Sequence, residues 1–436
     1  MHAWFRMVSM VGCAVAAVTA TACKDDPSGN ADSASTGGSS SASTTLPSDS
    51  SGMSGVPMDL GEVATTANSM GGSSESGTTT GPDVQCGDGS SDPGGICFGA
   101  STVVFDDAPS AAVVALDLDA DGIIDLAIGH RDGLTILFGI GDGGFTMGQE
   151  LALPGVLGLA RGDLGGDALP DLVLTHGDDD SITVAINDGD GTLSPQSPMA
   201  VLGAPPPAGP DGVAVADFDG DGDDDLAVVG ALDASAHLFA QTAGGFDEVW
   251  TGSTGGSPGG LAGGRIGAAA PGLAISNLAG TSVAVLTYGG GGFDTSDSVV
   301  VGAGPRGVAL ADLFGGAQSE LVAVAGEDGT VAIASGTDAG FAAVQVFAVG
   351  PQPRALVIDD IDNDGRHDVA VTLAGANAVA VLLQQDDGAF AAAQTVASIT
   401  SPGAIASADF NGDGLADLAV GSAARLGGVA VLLSDP

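Results

Sequence analysis

Residues 117–125 read Asp117-Leu118-Asp119-Ala120-Asp121-Gly122-Ile123-Ile124-Asp125. Acids occupy loop positions 1, 3, 5 and 9, and Gly occupies position 6. Equivalent loops begin at Asp217, Asp360 and Asp409, the last with Asn in place of one acid. A short apolar segment precedes each loop, and a second one of the Leu-Ala-Val type follows it. Because β-strands in proteins are short, apolar and bounded by Asp and Gly, these loops are predicted to connect strands.

Three further segments have the phase of this repeat but not its full set of acids. They begin at Asp163, Arg265 and Asp312, so seven loops recur about every 48 residues. Each unit has four short strand signals, and most units end in a Gly-rich turn closed by Phe. The turn phenylalanines are Phe145, Phe246, Phe293, Phe341 and Phe390. This period predicts an all-β protein, a seven-bladed β-propeller, with blades 1 to 7 numbered in chain order.

The two ends of the repeat region complement each other. Residues 98–106 have the phase of a fourth strand that lacks its first three. The segment 429–433 has the phase of a third strand that lacks its fourth. The N-terminal strand is therefore predicted to complete blade 7 and close the ring, which leaves no long free edge.

The four acidic loops are candidate metal sites. Their carboxylates converge on one cation if the chain turns at the Gly in position 6, and position 7 adds a backbone carbonyl. All of these donors are oxygen atoms, and several negative ligands in a loose geometry favour Ca²⁺ over Mg²⁺. The predicted ligands are Asp117, Asp119, Asp121, Ile123, Asp125, Asp217, Asp219, Asp221, Asp223, Asp225, Asp360, Asp362, Asp364, Arg366, Asp368, Asp409, Asn411, Asp413, Leu415 and Asp417.

This loop spacing resembles the calcium loops of FG-GAP repeats in integrin α-subunit propellers and in bacterial VCBS proteins. The resemblance covers about three quarters of the chain. It implies a calcium-binding propeller that acts as a non-enzymatic binding or adhesion module for a protein or a polysaccharide. Some relatives with calcium-stabilised propellers are lectins or polysaccharide lyases, so a carbohydrate-active propeller is the alternative.

The other three loops depart from the motif. Blade 2 keeps Asp163, Asp167 and Asp171, but it has Gly at position 3 and Ala at position 6. Blade 5 keeps only Asp312 and Glu320, and the loop of blade 4 has no acid. We expect these blades to hold their turns without a metal.

The charge of the chain excludes several classes of function. There are 55 acidic and nine basic residues, for a formal net charge of −46. Such a surface repels nucleic acids and anionic membranes. Lys24 is the only lysine and Tyr288 the only tyrosine, and no Ser-His-Asp or Cys-His arrangement is evident. We therefore expect a protein that is not an enzyme, and a monomer.

The first 84 residues have the composition of an export signal and a tether. Residues 1–22 form an apolar signal peptide that ends before Cys23, which a lipoprotein pathway would lipidate. An ordinary signal peptidase would cleave the same segment. Residues 23–84 are rich in Ser, Thr and Gly, which predicts a disordered tether before the propeller at 85–436. The expected location is the outer membrane or cell surface, or otherwise the medium, and in that oxidising setting Cys86 and Cys97 are expected to form a disulfide.

Two pairs of residues stand at equivalent places in adjacent blades. His130 and His176 follow the second strand, and Arg306 and Arg354 lie near the start of the first. Both places lie on the face opposite the acidic loops, where ligand contacts are expected. The Arg pair is a candidate for holding an anionic group, with simple copying of the repeat as the alternative.

Overall fold

The computed structural model describes residues 96–201, 208–267, 270–316, 318–425 and 427–435. These ranges contain 29 β-strands. Within them, no helix has the length and apolar character needed to cross a membrane. The predicted signal peptide, the tether, Cys23 and Cys86 lie outside the described residues.

Seven antiparallel sheets form the blades of a propeller, as the repeat period predicts. Strand β1 (Thr102–Phe105) comes first in the chain. Blade 1 contains β2 (Ser110–Leu116), β3 (Asp125–His130), β4 (Gly133–Gly139) and β5 (Phe145–Leu151). Blade 2 contains β6 (Val156–Gly162), β7 (Asp171–His176), β8 (Ser181–Asn187), β9 (Leu193–Pro195) and β10 (Met199–Ala200). In blade 2 the fourth strand is divided, because β9 and β10 both pair with β8.

The remaining blades follow the same order along the chain. Blade 3 contains β11 (Pro210–Ala216), β12 (Asp225–Gly230), β13 (Ser235–Thr242) and β14 (Gly245–Ser253). Blade 4 contains β15 (Pro258–Ile266), β16 (Ala270–Asn277), β17 (Ser282–Gly289) and β18 (Gly292–Val300). Blade 5 contains β19 (Pro305–Ala311), β20 (Glu320–Ala325), β21 (Thr330–Thr337) and β22 (Gly340–Ala348). Blade 6 contains β23 (Pro353–Asp359), β24 (Asp368–Leu373), β25 (Ala378–Leu382) and β26 (Gln394–Ala397), and blade 7 contains β27 (Pro402–Ala408), β28 (Asp417–Ser422) and β29 (Val429–Leu432).

The N-terminal strand closes the ring as the sequence predicts. Strand β1 pairs antiparallel with β29, with Thr102 opposite Val431 and Val103 opposite Ala430. An isolated bridge between Phe98 and Ser434 extends this pairing. The sheet of blade 7 therefore runs β1-β29-β28-β27 from its outer edge to its inner strand. The inner strand of each blade contacts the inner strand of the next, and β27 contacts β2, which completes the circle.

The core consists of apolar clusters between neighbouring blades, and the Phe of each Gly-rich turn belongs to it. Phe145 of blade 1 packs edge to face on Phe410 of blade 7, with ring centroids 5.6 Å apart. Phe293 of blade 4 packs on Phe218 of blade 3 in the same way, at 5.3 Å. Phe218 and Phe410 both occupy position 2 of an acidic loop. The turn of one blade therefore buries the loop of the preceding blade, which explains the fixed spacing between the two motifs.

Within each blade the strands form an antiparallel meander. The loops between the first and second strands lie at the same end as the turns between the third and fourth. We call this end the acidic-loop face. The loops between the second and third strands, and the connections between blades, lie at the opposite face.

Candidate metal centres

The carboxylate at loop position 9 anchors the backbone of its blade. Asp125 Oδ2 accepts a hydrogen bond from Leu118 N at 2.8 Å, and Oδ1 accepts one from Gly139 N at 2.9 Å. The first bond fixes the start of the loop, and the second fixes the end of the third strand. The same pair of hydrogen bonds is accepted by the equivalent carboxylates of Asp171, Asp225, Asp368 and Asp417. All of these position 9 residues are 1 % exposed or less.

Three carboxylates converge in each of four loops. In blade 1 these are Asp117, Asp119 and Asp125, with one oxygen of each within 4.8 Å of the others. The same positions converge in blades 3 and 6. Those groups are Asp217, Asp219 and Asp225, and Asp360, Asp362 and Asp368. Three of the four predicted sites therefore bring together the acids at positions 1, 3 and 9.

The electrostatics of these groups favour a cation. Burial, together with the smaller effect of the negative charges of Asp119 and Asp117, raises the pKa of Asp125 to about 6 despite its backbone hydrogen bonds. Burial and the charge of Asp362 raise the pKa of Asp368 to about 7. Crowded, half-desolvated carboxylates repel one another, and a bound cation would relieve that repulsion.

Asp117 supplies a second indication in blade 1. Its Oδ2 accepts a hydrogen bond from Gly122 N at 3.1 Å. Its Oδ1 is buried and has no hydrogen-bond partner among the described residues. Buried carboxylate oxygens are normally satisfied by a donor or an ion. The all-oxygen donor set and this unsatisfied atom fit a hard divalent cation.

The acid at position 5 does not join the converging groups in blades 1, 3 and 6. Asp121 Oδ1 accepts from the N–H of Ile123 at 2.8 Å, and Asp221 Oδ1 accepts from the N–H of Asp223 at 3.0 Å. In blade 6 the Asp364 carboxylate accepts from Arg366 N at 2.9 Å and also forms an ion pair with the Arg366 guanidinium. The position 5 carboxylate thus caps the turn, and its partner is the backbone N–H of the position 7 residue.

The loop of blade 7 is arranged differently from the other predicted sites. Asp409 accepts hydrogen bonds from three backbone N–H groups of its own turn. Asn411 Nδ2 donates to Asp413 Oδ2 at 2.9 Å, while Asp413 Oδ1 accepts from Leu415 N at 2.8 Å. Asp417 makes the position 9 bonds described above. An amide at position 3 therefore pairs with the acid at position 5 in this blade.

Blade 2 also has a converging group, although its loop departs from the motif and was expected to hold its turn without a metal. Asp163, Asp167 and Asp171 lie within the same 4.8 Å limit. The acid at position 5 takes the place of the missing acid at position 3. Ala168, where the other loops have Gly, adopts the same left-handed backbone with φ of 68°. The spacing of acids at positions 1, 5 and 9 was the available sequence signal.

The remaining loops keep the fold without such a group. In blade 5, Glu320 replaces the position 9 Asp and accepts from Leu313 N at 2.9 Å and from Gly336 N at 3.4 Å. In blade 4, Arg265 stands on strand β15 at position 1, and Leu273 occupies position 9. In blade 5 the longer Glu320 side chain therefore anchors the backbone as the position 9 Asp does elsewhere, but it belongs to no converging group.

The other predicted residues lie as follows. Cys97 is disulfide-bonded. His176 is 4 % exposed, with Nδ1 2.9 Å from Pro154 O and Nε2 2.9 Å from Thr183 Oγ1. His130 Nε2 lies 3.0 Å from Thr135 Oγ1. Both histidines thus bond within their own blades.

The two candidate arginines of the opposite face lie where the sequence places them. Arg306 and Arg354 stand at the second residue of β19 and of β23, and both are half-buried. Their blades are neighbours in the ring. They lie at the end of the central channel that is remote from the acidic loops.

Comparison with known proteins supports the same fold. Residues 163–228 and 360–420 match the family model of the FG-GAP-like repeat. These segments contain three of the four converging groups, those of blades 2, 3 and 6. No curated protein matches the chain.

Two solved structures resemble the propeller. The crystal structure of BBS1N in complex with ARL6DN, soaked with lead, has a TM-score of 0.57 at 13 % identity, and covers 78 % of this chain and 97 % of that chain. The crystal structure of a protein from Lactobacillus plantarum has a TM-score of 0.50 at 14 % identity, and covers 68 % and 86 %. Identities this low concern the fold alone. The chain thus folds as a seven-bladed β-propeller, two segments of which match the FG-GAP-like repeat.

Proposed function

We propose that this propeller is an exported, calcium-stabilised binding or adhesion module without enzymatic activity. The observation that carries the proposal is the convergence of three carboxylates in each of blades 1, 2, 3 and 6. The four groups lie in the same loop of their blades, and three of them use identical positions, which argues against a chance grouping of surface acids. The matches to the FG-GAP-like repeat include the loops of three of these blades, which supports the same interpretation.

Calcium fits these groups better than other ions. The donors are carboxylate oxygens, and thiolate and imidazole ligands, which zinc and copper prefer, do not take part. Magnesium demands a near-ideal octahedron at short distances, whereas calcium accepts carboxylates in a loose geometry. The residues that would hold the ion in blade 1 are Asp117, Asp119 and Asp125.

The magnitude of the effect favours a structural role. Extracellular calcium modules bind with dissociation constants around 10⁻⁴ M, so about 1 mM Ca²⁺ stabilises each site by roughly 1.4 kcal/mol. Four sites would add on the order of 6 kcal/mol, which is comparable with the net stability of a domain. The ion would also remove the repulsion between the clustered carboxylates.

Composition supports a binding role over catalysis. The propeller segment 85–436 has no lysine, and its one tyrosine is Tyr288. Both residues are common proton-transfer groups in lyases. His130 and His176 are engaged with threonines of their own blades, so neither is presented to a ligand as a base. A protein or a polysaccharide is the proposed partner, and a lipid on Cys23 is the proposed link to the membrane.

Thermal unfolding of the full chain tests the calcium proposal. We expect the melting temperature in about 2 mM Ca²⁺ to exceed that in excess chelator by roughly 10 °C, and the difference to be reversible. Elemental analysis of the protein after desalting should find calcium. Identical melting curves, together with an absence of bound metal, would contradict the proposal while leaving the fold intact.

A further inference from the structure

The seven inner strands provide an internal reference for the wall of the central channel. At the sixth residue of these strands, five blades carry apolar or small side chains. These are Ala115, Val215, Gly263, Leu310 and Ile358. Blades 2 and 7 carry Arg161 and Ser407 there instead. At the next residue blade 6 carries Asp359, where the other blades carry Leu, Ala or Gly. Copying of a repeat alone does not produce Arg161 or Asp359, because the equivalent residues of the other blades are uncharged.

The three departures line one cavity. Arg161, Asp359 and Ser407, all half-buried, stand at the end of the channel next to the acidic loops. The cavity extends outward over blades 5 to 7 and has a volume of about 1190 Å³. It lies on the acidic-loop face rather than the opposite face where ligand contacts were expected.

A second, smaller space lies next to this cavity. It has a volume of about 70 Å³ and shares Arg161 and Ser407 with the larger one. Its wall includes Val113, Leu159, Val357 and Ile405, which are packed inner-strand residues. The Arg161 guanidinium donates from Nη1 to the Ala115 carbonyl at 2.9 Å, which orients it on the inner wall. We call the larger cavity the cup; its inner-strand side carries the charged and hydroxyl groups of Arg161, Asp359 and Ser407.

The degenerate loop of blade 5 supplies an aromatic wall. Phe314 occupies position 3, where blades 1, 3 and 6 have an Asp of the converging group. Its ring is 39 % exposed and lines the cavity. Phe390 holds it edge to face, with centroids 6.5 Å apart. The blade 5 loop, which has Phe314 in place of the position 3 acid, thus presents an aromatic side chain to the cavity.

These groups together favour a neutral polyhydroxylated ligand. A cation would meet Arg161 on the inner wall. An anion would meet the carboxylates that line the cavity, which are Asp312, Asp359, Asp360, Asp386, Asp387 and Asp409. A sugar with neighbouring hydroxyl groups uses both, because the guanidinium donates to one oxygen and the carboxylate accepts from the next. Asp359 Oδ1 accepts from Asp360 N at 2.9 Å, which orients the carboxylate. The exposed ring of Phe314 offers a surface for the apolar face of the sugar.

We infer that this cup, built on Arg161, Asp359, Ser407 and Phe314, binds the end of a neutral glycan. The inference rests on the proposed function, and it names the ligand class and the site. None of these four residues belongs to a converging group, and Asp359 is the neighbour of Asp360, whose blade 6 group lies at the same cavity.

The test uses the full chain in about 2 mM Ca²⁺. Wild-type protein is applied to an array of immobilised neutral oligosaccharides and to an oligolysine peptide, and the tightest glycan is then titrated in solution. We expect Asp359→Asn and Arg161→Ala each to weaken glycan binding about tenfold or more, because each removes charge-assisted hydrogen bonds. Arg354→Ala is the matched control. It removes a half-buried arginine from an inner strand at the other end of the channel, and binding should stay within about twofold of wild type.

Each outcome decides the inference. Loss of binding in Asp359→Asn with normal binding in Arg354→Ala supports it, even if Arg161→Ala fails to fold. Binding of oligolysine alone, no glycan binding by folded protein, or glycan binding lost only in Arg354→Ala overturns it. None of these results alters the calcium melting experiment, so failure of the cup and failure of calcium stabilisation are separable.

Discussion

Gln384 Nε2 donates a 3.0 Å hydrogen bond to the carbonyl oxygen of Leu313, across the boundary between blades 6 and 5. The backbone N–H of Gln384 donates to Asp368 Oδ1 at 2.7 Å. One residue therefore connects a converging carboxylate of blade 6 to the acidic loop of blade 5. Asn187 makes the equivalent bond to Leu118 O at 2.9 Å between blades 2 and 1. The loops are thus linked from blade to blade as well as within each blade.

Replacement of Gln384 by Leu tests this link. The side chain is 4 % exposed, so the change leaves the buried Leu313 carbonyl without its donor. We expect the free energy of unfolding to fall by about 1–3 kcal/mol in urea titrations. Gln385→Leu is the control, because Gln385 is the exposed neighbour and its substitution should change stability by less than about 0.5 kcal/mol. Equal effects of the two substitutions would contradict a specific role for the interblade bond.

The architecture was predictable because the repeat supplies its own alignment. Strand β1 was expected to complete blade 7 from the phase of residues 98–106, and it pairs with β29 as expected. Phe145 and its counterparts mark the same point of each unit, since each packs on the preceding loop. A signal repeated seven times compensates for the weakness of each short strand.

The details of the loops were less predictable, because they depend on local competition for hydrogen bonds. Position 5 is predicted to join the cation ligands, and in the structure Asp121 Oδ1 also accepts from the N–H of Ile123 two residues later. Short acidic side chains commonly make this local bond. In blade 2 the acid at position 5, Asp167, does join the group. The cup could not be predicted from the sequence, because Arg161, Asp359 and Ser407 are far apart in sequence and line one cavity only in the closed ring.

Ala168→Gly should stabilise the protein. Ala168 is exposed and has φ of 68°, at the position where Gly122, Gly222 and Gly365 stand in other loops. A side chain in the left-handed region costs about 1–2 kcal/mol, which exceeds the entropic cost of introducing Gly. We expect a gain of about 0.5–1 kcal/mol in urea titrations. Ala392→Gly, at an exposed residue outside the left-handed region, should give no gain, and a loss of stability in Ala168→Gly would contradict the argument.

Asp119→Asn should have opposite effects with and without calcium. The amide keeps the Oδ1 acceptor for Asp121 N, which lies 3.2 Å away, and removes one charge from the blade 1 group. In calcium the variant should lose roughly 1.4 kcal/mol, the stabilisation from one site. In chelator it should be as stable as wild type or more stable, because Asp117 and Asp125 then face less repulsion.

The matched control for Asp119 is Asp142→Asn. Asp142 is an exposed acid on the same face, and its Oδ1 accepts from Gly144 N at 3.0 Å in a similar turn. Its substitution should leave the calcium-dependent difference in melting temperature unchanged. An equal loss of stability in Asp119→Asn with calcium and with chelator would show that Asp119 acts only in the turn.

His176 should make the protein sensitive to acid. A carbonyl oxygen only accepts, so Nδ1 carries the proton that it shares with Pro154 O, and Nε2 accepts from the Thr183 hydroxyl. The neutral ring satisfies both contacts, and burial lowers the pKa of His176 below its ordinary value. As the pH falls below about 6.5, the unfolded chain takes up the proton first, so stability is lost on acidification until the folded pKa is reached.

The pH dependence of unfolding isolates this histidine. Urea titrations of wild type and His176→Leu are compared between about pH 7.5 and 5.5 in saturating calcium. Below pH 6.5 the difference between their free energies of unfolding should shrink by up to about 1.4 kcal/mol per pH unit. Effects of acid on the carboxylates are common to both proteins and cancel in the difference. Thr183→Val removes the hydrogen bond but keeps the titrating ring, so it should lower stability and retain the wild-type slope. A constant difference between wild type and His176→Leu across the pH range would mean that the buried ring is not protonated on unfolding. The acid sensitivity would then belong to the carboxylates of the loops.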